Sequence, residues 1–146
     1  MSDTTNAAEQ LGIIELGEVC NTMRARNIKL FEQLGGWVAD TTDPALQRLF
    51  AEACHRHAWH AELWAHRAPD IRPVEVDTSA TAAPGPLVAA GERGSTYRGA
   101  LDRLLADLHE LLARVDVLLD PGTARTIALV TVDLADLQRR LTASIS

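Results

Sequence analysis

The chain has 146 residues, of which 47% are apolar, 23% charged and 4% aromatic, and its net charge is −6. That length suits one domain with a sizeable core, while an acidic balance without a basic block argues against nucleic acid as a partner. No apolar run approaches the ~20 residues of a membrane span, and two cysteines, Cys20 and Cys54, make no secreted disulfide framework.

The opening residues MSDTTNAAEQ have neither the basic nor the apolar region of an export signal, so a cytoplasmic protein is expected. A first helix is predicted over about residues 9–39. It stops at DTTDP, where Asp43 can cap a second helix and Pro44 suits its first turn. The second helix is expected over 44–67. Pro69, Pro73, Pro84 and Pro86, set among small and polar residues, then mark a loop over about 68–88. A third helix is expected over about 95–119, because Leu101, Leu104, Leu105, Leu108, Leu111, Leu112, Val115 and Leu119 recur at helical spacing. The tetrad LDPG repeats the Asp-Pro device: Asp120 caps and Pro121 opens a fourth helix. Its predicted span is 121–143, striped by Ile127, Val130, Leu134, Leu137 and Leu141.

Two short turns, at 40–43 and 119–122, make antiparallel hairpins of helices one and two and of helices three and four. The loop between the hairpins can reach roughly 60 Å, against roughly 36 Å for a 24-residue helix. It can therefore cross the bundle and set helices two and three parallel. In this layout, an all-α four-helix bundle of two antiparallel hairpins joined by a long crossover loop within one domain, the whole chain resembles the ferritin-like superfamily. The resemblance implies a di-iron site, built from one Glu on each of two helices and a Glu-x-x-His on each of the other two. Glu52-Ala53-Cys54-His55 supplies one such motif. Taking Asp43 and Asp120 as equivalent starts, 77 positions apart, Leu129 and Val132 stand where Glu52 and His55 stand in the first hairpin. The ligand set is thus incomplete.

The stretch EACHRHAWHAELWAH, residues 52–66, carries four of the five histidines. At 100° per residue the apolar arc of helix two centres on Leu46, Leu49, Ala53, His60 and Trp64, with His57 near its edge. Glu52 falls at the margin and His55 beyond it. On helix one, Leu16, Cys20, Met23, Leu30, Leu34, Trp37 and Val38 form the arc, with Asn27 in its middle. An antiparallel hairpin turning near residue 42 brings Asn27 level with His57 and Met23 level with His60. The corresponding positions of the second hairpin are Leu104, Leu134 and Leu137, so one half of the bundle reads as polar at its centre and the other as apolar. Cys20 and Cys54 are about ten residues out of register, roughly 15 Å, beyond disulfide reach. Asp133 and Asp136 lie off the apolar stripe and read as solvated. GERGSTYRG lacks the P-loop lysine and a preceding strand.

Two functions are consistent with these features. In the first, the chain is a non-catalytic bundle acting as a binding or assembly module. It has no resident cofactor and self-associates through a helix face as a homo-oligomer, with Trp59, on the outer stripe of helix two, as the candidate contact. In the alternative it is a metal-binding protein or a metal-dependent oxidoreductase using a His-rich pocket between helices one and two. Asn27, His57, His60 and Trp64 would line that pocket, with His57, His60, Glu52 and His55 as candidate ligands of a single Fe or Zn ion. Imidazoles at i, i+3 can share a metal or pass a proton near neutral pH. Neither reading calls for nucleic acid or a membrane, and neither specifies a small-molecule ligand.

Overall fold

The computed structural model describes residues 9–70 and 87–145. Within them the chain forms α1 (Ile13–Val38), α2 (Pro44–Arg67), a single 3-10 turn (Ala90–Glu92), α3 (Arg93–Ala113) and α4 (Pro121–Ile145), with no strand among the described residues. The Asp-Pro starts work as expected. The Asp43 carboxylate accepts from the backbone N–H groups of Ala45 and Leu46 at the head of α2, and Asp120 accepts from that of Thr123 at the head of α4, satisfying donors that a helix start leaves free.

Two boundaries differ from expectation. α1 begins at Ile13 rather than near Glu9. Gly12 precedes it in an extended conformation, and the Leu11 N–H bonds the Arg114 carbonyl instead of entering a helix. α3 ends at Ala113 rather than near Leu119. Asp116 turns the chain there, its carboxylate accepting from the N–H groups of both Leu118 and Leu119, a side-chain bond that competes with helix continuation. The inner face of α3 is narrower than the leucine pattern suggested. Tyr97, Leu101, Leu104, Leu108 and Leu111 are buried, whereas Leu112 and Leu119 are 42% and 81% exposed.

Polar rungs fix the packing order. α1 and α2 pair as a hairpin, α4 packs against both α2 and α3, α1 is tied to α3 by the Arg26–Asp107 ion pair, and the turn after α1 is tied to α3 by Arg93–Asp40. Every neighbouring pair runs antiparallel: the head of α1 meets the tail of α3 through Leu11 and Arg114, and the tail of α2 meets the head of α4 through Arg67, Asp120 and Thr123. α2 and α3 therefore sit on a diagonal and run in the same direction. The end of α2 and the start of α3 lie at opposite ends of the bundle, as a crossover requires. Most of the expected crossover loop, residues 71–86, lies outside the described residues.

The core is continuous along the bundle axis. Leu34, Phe50, Trp64, Leu101, Leu134, Leu137 and Leu141 have no measurable exposure, and each such side chain stabilises the fold by about 1.5–3 kcal/mol through burial alone. One end is closed by Arg93, which grips Asp40 through both guanidinium Nη atoms at 2.7 and 3.0 Å and lies over the Trp37 ring. There α3 and α4 approach closely at Gly94, where a Cβ would stand 2.7 Å from the Ile145 side chain. No helix is long and apolar enough to cross a membrane among the described residues.

Candidate functional site

Five polar side chains lie at the bundle centre, on all four helices. Asn27 on α1 and His57 and His60 on α2 are within 1% of complete burial, as the helical-arc argument predicts. Asn27 donates from Nδ2 to the Met23 carbonyl one turn back, at 2.8 Å. Its Oδ1 then faces His57 Nδ1 at 2.8 Å, and His57 Nε2 faces the Tyr97 hydroxyl of α3 at 2.7 Å. The bonds assign one another. With the Asn27 amide donating to Met23, its oxygen must accept, so His57 carries its proton on Nδ1. His57 Nε2 is then a lone pair that accepts from Tyr97. The relay is neutral throughout and fully satisfied.

Electrostatics agree with that tautomer. Burial, and after it the neighbouring His60, push His57 down to about 3, so the imidazole is uncharged at neutral pH. Burial raises the Tyr97 phenol well above its ordinary value, which keeps its proton on the oxygen.

His60 belongs to a second set. Its Nε2 meets Asp133 of α4 at 2.8 Å, while its Nδ1 has no hydrogen-bond partner among the described residues. The two imidazoles stand edge to face, 5.8 Å between centroids, and are not bonded to each other. Burial lowers the His60 affinity for a proton, and Asp133 partly offsets this. Around Asp133 the α2–α4 seam is a chain of charges. Arg56 reaches Glu52 at 2.8 Å and Asp136 at 3.0 Å, and Arg140 reaches the other Glu52 oxygen at 2.6 Å. Glu52 is held below the usual carboxylate range, first by its bond from Arg140.

The four metal-candidate residues thus occupy four different environments. His57 is saturated by Asn27 and Tyr97, His60 is bound to Asp133, Glu52 is bound to two arginines, and His55 is exposed. Among the described residues no group of three or more His, Cys, Asp or Glu side chains is arranged to hold a metal ion. Trp64, the fourth pocket candidate, is completely buried, and its indole N–H has no hydrogen-bond partner among the described residues. Both cysteines are free.

Two participants escape a reading based on α1 and α2 alone. Asp133 is not simply solvated: it is the hydrogen-bond partner of a buried imidazole. Tyr97 makes the second hairpin polar where it meets the first, and its spacing from Leu101, Leu104, Leu108 and Leu111 is the signal that places it inside. Away from this cluster, an open cleft of about 740 Å³ lies between α1 and α3, crossed by the Arg26–Asp107 pair and bordered by Glu18, His109 and Glu110. No protein-family model, curated protein or solved structure matches the chain.

Proposed function

We propose that the chain is a non-catalytic member of the ferritin-like superfamily whose bundle serves as a binding or assembly module, its di-iron site degenerate. Two antiparallel hairpins with α2 and α3 parallel across the diagonal are the arrangement that a ferritin-like crossover produces. The observation that carries the functional half of the reading is His57. A metal ligand needs a free nitrogen lone pair, and His57 offers its one lone pair to Tyr97 while its other nitrogen donates to Asn27. The only Glu-x-x-His motif of α2 is diverted as well, because Arg56 and Arg140 supply to Glu52 the positive charge a metal would supply.

The reading is tested by elemental analysis of untagged protein grown with iron, zinc and manganese. It predicts metal far below one ion per chain, unchanged in His57→Ala and His60→Ala. Stoichiometric metal that these substitutions remove would overturn it. A second reading, a single Fe or Zn ion bound near α2, rests on the unpartnered His60 Nδ1. It needs at least two further protein donors, and the same measurement decides it.

A further inference from the structure

The outer surface of the α2–α4 pair carries an apolar patch set among charges. Trp59 is 41% exposed, and across the seam from it Leu129 and Val132 are 43% and 70% exposed. The rungs within the chain give the level of each residue. His60 meets Asp133, so their neighbours Trp59 and Val132 stand at nearly the same height. Farther along, Glu62 and Arg125 both lie between that rung and the one joining Arg67 to Asp120. Both are exposed, and neither has a charged partner among the described residues.

We propose that this face is the contact between two copies of the chain, related by a two-fold axis running along the helices. Such an axis lays α2 of one protomer antiparallel on α4 of its partner at matching height. Trp59 then meets the patch formed by Leu129 and Val132, and Glu62 meets Arg125, each contact occurring twice because the interface is isologous. The face is therefore complementary to itself in both charge and apolar surface. Its size is adequate: helices of 24 and 25 residues are about 36 Å long and, side by side, about 20 Å wide, giving roughly 700 Å² per protomer. Stable interfaces bury about 800 Å² per partner. An exposed indole ringed by charges is the kind of anchor on which such interfaces depend.

This inference rests on the assembly reading and adds to it the partner and the register. Sedimentation velocity of the full chain over a dilution series tests it, with circular dichroism reporting folding. The wild type is expected to be a dimer. Trp59→Asp is expected to raise the dimer dissociation constant by at least about thirtyfold with unchanged helicity. Glu62→Arg and Arg125→Glu are each expected to weaken the dimer about tenfold, since each reversal acts twice, and the double reversal is expected to restore it. A monomeric wild type, or a dimer indifferent to Trp59→Asp, would overturn the inference. In the latter case assembly itself would stand and only this face would be wrong. Stoichiometric metal would instead strike at the non-catalytic reading and leave the dimer contact untouched.

Discussion

The Tyr97 hydroxyl and His57 Nε2 lie 2.7 Å apart at the centre of the bundle, each the other's only polar contact from the opposite hairpin among the described residues. The bond joins α3 to α2 across the diagonal, where Tyr97 also packs edge-on against the Phe50 ring. It also fixes which nitrogen of His57 is free of hydrogen, through the chain that starts at the Met23 carbonyl.

Tyr97→Phe removes the donor and leaves a buried lone pair on His57. The expected cost is about 1–3 kcal/mol of unfolding free energy with the helical content unchanged. The double variant Tyr97→Phe, His57→Leu removes both polar groups and should cost less than the sum of the two single changes. Urea denaturation of the four proteins measures the coupling. Strict additivity would mean that the hydrogen bond contributes nothing.

Acid should destabilise the bundle from a higher pH than carboxylate protonation alone would. The unfolded chain binds a proton on His57 near its ordinary value of 6.5, while the folded chain refuses it until about 3. The folded state therefore binds fewer protons in that window, and stability falls as pH drops below 6.5. Between pH 6.5 and 5 the contribution of His57 amounts to about 2 kcal/mol. His60, also lowered, acts in the same direction. The check is the slope of unfolding free energy against pH, in the wild type and in His57→Gln, where the slope should be shallower. An identical slope in the two proteins would refute the assignment.

What could be read from the residues follows the difference between local and long-range register. Asn27 and His57 share a hairpin with a short turn, so the spacing within α1 and α2 suffices to set them level and facing. Asp133 reaches His60 from another hairpin. Its height depends on how the crossover seats α4 against α2, which no turn length specifies. At the edge of an apolar stripe, a short carboxylate can also bend inward to an imidazole as readily as outward to water. Leu119 failed for a different reason. Apolar periodicity continued past the point where Asp116 captured two backbone N–H groups and ended α3, and a side-chain-to-backbone bond leaves no mark on hydrophobic spacing.

Asp133 offers a graded test of the seam. Asp133→Asn keeps an oxygen that can accept from the His60 Nε2–H, so it should cost under about 1 kcal/mol near neutral pH. Asp133→Ala leaves that N–H facing a void and should cost about 1–3 kcal/mol. Arg56 retains Glu52 and Asp136 in both variants, so the difference between them reports on His60. Equal losses, measured by urea denaturation, would show that the hydrogen bond to His60 is not what Asp133 provides.

Glu52 separates a structural carboxylate from a ligand. Its side chain is 39% exposed and that of Arg140 is 40% exposed. At that exposure the pair sits in high dielectric and is screened by salt, and contacts of this kind are worth between nothing and about 1 kcal/mol. Glu52→Gln removes the charge and retains an oxygen for one arginine. The expected result is a loss of less than about 1 kcal/mol at low ionic strength, smaller still at high salt, with metal content the same as in wild type. If Glu52 instead anchored an ion, the substitution would lower bound metal and cost stability mainly in the metal-loaded protein. Parallel elemental analysis and denaturation of wild type and Glu52→Gln, each with and without chelator, distinguish the two because the ion-pair account makes both proteins indifferent to the chelator.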